Sequence, residues 1–164
     1  MKKIGLLSDT HSYLDDRILH HLRGCDEIWH AGDFGTAEVA ERLAEVAPLR
    51  GVYGNIDGRG VRLTQPLVQA FELEGLKVLM THIGGYPGHY APAARPLLAQ
   101  EHPGLFITGH SHILKVMPDP KLHLLHLNPG AAGRHGFHRV RTLLRFEVAE
   151  GKVQQLQAIE LGPK

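Results

Sequence analysis

Five short apolar runs in this chain stop at residues of one chemical kind, and this recurrence constrains the fold more than any other feature. Ile4-Gly5-Leu6-Leu7-Ser8 stops at Asp9-Thr10-His11, and Glu27-Ile28-Trp29-His30-Ala31 stops at Gly32-Asp33. Leu49-Arg50-Gly51-Val52-Tyr53 stops at Gly54-Asn55-Ile56-Asp57, and Leu76 to Thr81 stops at His82. The last, Leu105-Phe106-Ile107-Thr108, stops at Gly109-His110-Ser111-His112. Short apolar runs bounded by turn residues read as buried strands. In open α/β sheets ligands bind beyond the carboxyl ends of the strands, so side chains placed there by several strands converge on one space. Core packing does not call for aspartate, asparagine and histidine at five such ends. Metal binding does, because imidazole is available as a neutral ligand near pH 7 and carboxylates bring the negative charge that cations need. Glycine before His110 and His112 lets the chain turn tightly, so that each ring can enter a shared space from its own angle.

Length and composition leave room for such a site without suggesting another. At 164 residues the chain fits one domain, 1–164, with a substantial core. A formal net charge of +1 gives no strong pull towards nucleic acid or a membrane surface. Cys25, the single cysteine, cannot form an intrachain disulfide, which fits a reducing compartment. Asp9 and His11 interrupt the first apolar run before it reaches the length of a signal-peptide core, and no window approaches the length of a membrane span. The expectation is a cytoplasmic protein without membrane partners.

Taken in order, the chain predicts strand, helix, strand, helix, strand over its first third. Ser12 is a candidate N-cap with Asp15 three residues on, followed by Leu14, Ile18 and Leu22 at helical spacing. Thr36 caps a second helix with Val39, Leu43 and Val46 on one face, ended by Pro48. This order predicts a parallel, right-handed first half. Gln69 to Glu74 and Leu76 to Thr81 predict a hairpin across Gly75. Ile83 to Tyr90 is too rich in glycine and proline for regular structure and is expected to lie over the site. A short helix through Ala93 to Gln100, interrupted near Pro96, comes next.

Beyond His112 the expectation is antiparallel. Strands are predicted at Ile113 to Met117, Leu122 to Leu127, Val140 to Val148 and Val153 to Leu161, with Asn128-Pro129-Gly130 as a separator. Val140, Thr142, Leu144, Phe146 and Val148 alternate with Arg141, Arg145 and Glu147, as in a strand with one wet face. The simplest assembly is an α/β fold, two sheets face to face with helices outside.

The ordered set Asp9-x-His11, Gly32-Asp33, Gly54-Asn55-x-Asp57, His82 and Gly109-His110-x-His112 resembles the calcineurin-like metallophosphoesterases. The compact length and Asn128-Pro129-Gly130 resemble the small bacterial and archaeal phosphodiesterase branch, which also includes the eukaryotic retromer subunit of that fold. The resemblance implies a β-sandwich of two mostly mixed sheets flanked by helices. It also implies that Asp9, His11 and His112 hold one metal, that Asn55, His82 and His110 hold the other, and that Asp33 bridges both. Two divalent transition metals are implied, manganese first, with nickel, iron or zinc as alternatives. Metals about 3.5 to 4 Å apart can hold a bridging hydroxide for in-line attack on phosphorus.

The function implied is hydrolysis of a small phosphodiester. Alternatives are a phosphomonoesterase or nuclease of the same fold, or a non-catalytic scaffold like the retromer subunit; a nucleic-acid partner is not favoured, and homo-oligomerisation stays open. One departure stands out. Many family members carry histidine after the asparagine to help the leaving group depart, and this chain has Ile56. Asp57 then loses the histidine it would orient, and His89 in the glycine-rich loop is the nearest alternative acid. Arg59 could reach a phosphate oxygen or be an ordinary exposed arginine. Arg134, His135, His138, Arg139 and Arg141 are expected to form a solvated basic face, and His30 to support the ligands or the fold rather than ligate directly.

Overall fold

In chain order the elements are β1 (Lys2–Leu7), α1 (Asp16–Leu22), β2 (Glu27–His30), α2 (Ala37–Val46), β3 (Leu49–Gly51), α3 (Arg59–Arg62), β4 (Val68–Leu73) and β5 (Leu76–Thr81). They continue as β6 (Gly85–Tyr86), β7 (His89–Tyr90), α4 (Ala94–Glu101), β8 (Leu105–Ile107), β9 (Leu114–Asp119), β10 (Leu124–Pro129), β11 (Val140–Ala149) and β12 (Lys152–Pro163). The structure is a computed structural model and describes residues 1–164.

Two five-stranded sheets form, one ordered β12-β11-β1-β2-β3 and the other β4-β5-β8-β10-β9. β1, β2 and β3 run parallel, and β11 closes on β1 antiparallel. In the second sheet β5, β8 and β10 are parallel, with β4 and β9 antiparallel at the edges. Both sheets are mixed. The antiparallel tail expected beyond His112 therefore divides, with β9 and β10 extending one sheet and β11 and β12 the other.

Three apolar layers hold this arrangement. Between the sheets, Ile4, Leu6 and Trp29 meet Val78, Met80, Ile107 and Leu127. Outside the first sheet, Ile18 and Leu22 of α1 and Val39, Ala40 and Leu43 of α2 pack on Leu7, Ile28 and Leu143. Outside the second, Ala94 and Leu98 of α4 pack on Leu79, Phe106 and Leu124. β11 is thus covered on both faces where it passes under the helices, so that Arg141 and Leu143 are buried and only its later half alternates.

Local chemistry moved several expected boundaries. Asp15, not Ser12, caps α1, accepting from the Ile18 N–H at 2.9 Å. Ser12 has a left-handed backbone (φ 69°) and its hydroxyl instead accepts from the Thr36 N–H at 3.1 Å, at the start of α2. Pro96 does not interrupt α4, because it lies in the first turn, where the missing N–H has no intrahelical partner to lose. The glycine-rich loop does contain regular structure, a two-rung hairpin pairing Gly85 with Tyr90 and Tyr86 with His89. Asn128-Pro129 ends β10 instead of separating strands.

Candidate metal centre

All five ligand-bearing segments leave the same end of the sandwich. Asp9 and His11 follow β1, Asp33 follows β2 and Asn55 follows β3, all from the first sheet; His82 follows β5, and His110 and His112 follow β8, from the second. Asp9, His11 and His112 offer ligand atoms all within 4.8 Å of one another, as do Asp33, His82 and His110. Asn55 joins the second group, with its Oδ1 at 3.0 Å from His82 Nε2 and 3.1 Å from His110 Nδ1. Asp33 Oδ2 lies 3.1 Å from His82 Nε2 and 3.5 Å from His11 Nε2, so a single carboxylate oxygen faces both groups.

The backbone accepts strain to achieve this. Asp9, His11, Asp33, His110 and His112 all have positive φ, between 46° and 69°. Such conformations are uncommon for non-glycine residues and cluster at functional sites. Glycine clears the space around them. A Cβ on Gly32, itself at φ 101°, would lie 2.5 Å from His82 Nδ1, and one on Gly109 would lie 2.9 Å from Asp9 Oδ2.

Hydrogen bonds fix which atoms face inward. Asp9 Oδ2 accepts from the Ser8 hydroxyl at 2.6 Å and the His110 N–H at 3.1 Å, whereas Oδ1, buried, has no hydrogen-bond partner and points towards His112 Nε2 at 3.2 Å. His11 Nε2 is likewise buried without a hydrogen-bond partner. His82 donates Nδ1–H to the Ala31 carbonyl at 2.8 Å, which leaves Nε2 as the lone-pair nitrogen facing the centre. His138 donates Nε2–H to the Gly133 carbonyl at 2.8 Å and presents Nδ1 to His112 Nδ1 at 3.3 Å.

The electrostatics match this geometry. His11 faces Asp33 and Asp9 and is raised to about 9. Two carboxylates call for positive charge at this point, and a divalent cation supplies it as a proton would. Burial by itself would raise Asp9 and Asp33, but the rings of His11 and His112 at Asp9, and of His11 and His82 at Asp33, hold both carboxyls well below the usual range. Orphaned buried ligand atoms, two carboxylates and a set rich in imidazole fit divalent transition metals.

Several residues take places the sequence did not give them. Asp57 is placed as a support: its buried carboxylate accepts the N–H groups of Phe34 (3.2 Å), Gly35 (2.9 Å) and Gly54 (2.8 Å), binding the Asp33 turn to the Asn55 turn. His89 is exposed on β7, its ring 4.9 Å from Tyr86, and lines a cavity with His110 and Lys115. Arg59 opens α3 and is exposed. Of the expected basic face, Arg134, His135 and Arg139 are exposed, but the rest turns inward. Arg141 is buried and paired with Asp15 at 3.0 Å, His135 stacks on His11 with centroids 4.8 Å apart, and His138 contacts His112. His30 is structural as expected. Fully buried and stacked on Phe34, it accepts from the Gly32 N–H at 3.1 Å and meets the Thr10 hydroxyl at 3.0 Å. Asn128 went unnoticed as a support; its amide donates to the Gly109 carbonyl and the Ser111 hydroxyl, holding the turn that carries His110 and His112.

A two-sheet sandwich that gathers aspartates and histidines from the strand ends of both sheets defines a metallohydrolase-like architecture. A sequence profile for the calcineurin-like phosphoesterase superfamily domain matches residues 1–151, and the chain belongs to that superfamily. A probable metallophosphoesterase of Methanothermobacter thermautotrophicus is 30% identical over 135 residues, 78% of this chain and 76% of that one. Among solved structures, an archaeal phosphodiesterase described as novel superposes with a TM-score of 0.76 at 21% identity, covering 96% and 99% of the two chains. Zinc-complexed Vps29 from Entamoeba histolytica gives 0.73 at 16% identity, covering 98% and 99%. At these identities the structural likenesses establish the shared fold. No helix is long and apolar enough to cross a membrane.

Proposed function

We propose that this metallophosphoesterase domain hydrolyses small phosphodiesters at a centre of two divalent metal ions. The observation that carries the reading is Asp33 Oδ2, placed between His11 of one ligand group and His82 of the other. Asp9, His11 and His112 would hold one ion and Asn55, His82 and His110 the other, with Asp33 common to both; manganese is the first metal to test. When bound, two such ions supply Lewis acidity towards phosphoryl oxygens and lower the pKa of water at neutral pH.

The chain's own residues do the rest. His82 is held in one tautomer by Ala31, and the neutral Asn55 amide limits negative charge where a phosphate must approach. Lys115 lines the cavity beside His110 and offers an anionic substrate a positive charge, and His89, on the same wall, is the residue proposed to donate the leaving-group proton. Ile56, 47% exposed, has no proton to give. The fold shared with an archaeal phosphodiesterase supports a diester substrate, and the seven ligand-type residues gathered at one end of the sandwich favour catalysis over a scaffold role. A nuclease is the second reading, because Arg134 and His135 line a cavity with His11. Two residues fall short of the run of cations that a polynucleotide backbone needs.

The test is metal analysis with hydrolysis of bis(p-nitrophenyl) phosphate. Saturated protein should hold close to two ions per chain. Asp33→Asn should lose at least about a hundredfold in rate, equivalent to about 2.7 kcal/mol, while His20→Ala, on the exposed face of α1, should not. A stoichiometry below one, or equal losses in the two variants, would overturn the reading.

A further inference from the structure

Three cavities border the candidate centre, and their walls differ in chemistry. The cavity beside His11, about 430 Å³, also meets Arg134 and His135. The cavity beside His110, about 270 Å³, carries Lys115 and His89. The third is the largest, about 690 Å³, and its wall is built chiefly of apolar side chains, among them Leu67, Val68, Ile83 and Leu97. Asn55 and His82, ligands of the same group, also line it. Ile83 and Ala91, which flank the β6–β7 hairpin, line both the second and the third cavity, so one loop serves a polar wall and an apolar one.

A phosphodiester carries two ester groups that leave phosphorus in different directions. With phosphorus at the ligand cluster, a charged or polar end finds Lys115 on the His110 side, and an apolar end finds hydrocarbon on the Asn55 side. The volume lies within the range of small-molecule sites, roughly 300 to 1,000 Å³. Leu67 and Ile83, 57% and 46% exposed, leave apolar surface that such a group would cover.

We infer that this cavity is an ester-group subsite, and that the substrates are phosphodiesters with one apolar ester group seated against Leu97 and Val68. The inference rests on the proposed hydrolysis and narrows its substrate class.

Binding and turnover separate the two ideas. Phenylphosphonate and methylphosphonate carry P–C bonds that resist hydrolysis, so their affinities for the metal-loaded protein can be compared by calorimetry. The phenyl compound should bind at least about tenfold tighter, a conservative share of what burying an aromatic ring contributes. Leu97→Asn should reduce the ratio below about threefold. Val68→Thr, which keeps the side-chain shape and replaces a methyl with a hydroxyl, should lower it in the same direction and decides the matter if Leu97→Asn does not fold. With p-nitrophenol as the common leaving group, the phenyl diester should show a lower KM than the methyl diester, and the variants should lose that difference. Equal phosphonate affinities in the wild type, or a ratio unchanged in the folded variants, would overturn the subsite even if diesters are hydrolysed. A strong phenyl preference with no diester hydrolysis would keep the subsite and overturn the phosphodiesterase reading.

Discussion

A ring nitrogen can ligate a metal only when it carries no proton, and at His112 a second histidine decides which nitrogen that is. His138 gives its Nε2–H to Gly133 and so receives at Nδ1; His112 then donates from Nδ1, and its Nε2 is left bare towards Asp9. His138→Phe is expected to weaken metal binding at the Asp9, His11 and His112 group by about 10- to 100-fold while sparing the other group. His138→Gln, which can both donate and accept, should recover part of the loss, and titration with a coloured metal such as cobalt would resolve the two sites. The seven ligand candidates were legible in the sequence because each stands where an apolar run stops. His138 was not, since nothing in its neighbours shows that the segment after Gly133 folds back onto His112.

Buried histidines also set the response to acid. Burial lowers His30 to about 3 and His126 to about 4. In the unfolded chain both would titrate near the ordinary histidine value, about 6.5. Between those values the unfolded state holds more protons, so stability is fully present above about pH 6.5 and falls as pH drops through the folded-state values. Urea unfolding of metal-free protein across this range should show that fall, and His126→Leu, which removes one of the two groups, should make it shallower. A pH-independent midpoint between pH 7 and 4 would contradict this account.

Among the elements, the turns after β2 and β3 depend on one carboxylate. Asp57 accepts three backbone N–H groups from those two turns. Asp57→Ala leaves buried donors unsatisfied, at about 1 to 3 kcal/mol each before water enters. A loss of about 3 kcal/mol or more is expected, read as a fall in Tm of the order of 10 °C. Metal affinity should fall with it, because both turns carry candidate ligands. The strands and helices α1 and α2 were readable from periodicity. The hairpin at Gly85–Tyr86 and His89–Tyr90 and the short helix α3 were not, because neither is long enough to show a period. The cap of α1 was misplaced because Ser12 and Asp15 both have capping side chains, and only the tertiary contact of Ser12 with Thr36 decides between them.

At the scale of the whole molecule, neither ligand group belongs to one sheet. Asp9 and His11 come from the first sheet and His112 from the second; Asp33 and Asn55 come from the first and His82 and His110 from the second. Each ion would therefore tie the sandwich together at its open end. A free metal concentration a hundred times Kd should add about 2.7 kcal/mol per site, so Tm should rise on loading and fall again with a chelator. A Tm indifferent to both treatments would show that the ions bind elsewhere or that the unfolded chain holds them equally well. The sandwich itself was foreseeable from five parallel-type runs and an alternating tail, but the division of the tail between the sheets was not, since alternation does not say which edge a strand will join.

The spread of ligands along the chain sets a timetable for a nascent protein. The group opened by Asp9 stays incomplete until His112, and the other until His110, so both close within one turn after about two thirds of the chain has been made. A growing polypeptide offers a passing ion only fragments of either set. The choice of metal would thereby be deferred until strands of both sheets have been made, and an ion would be judged by its fit between them.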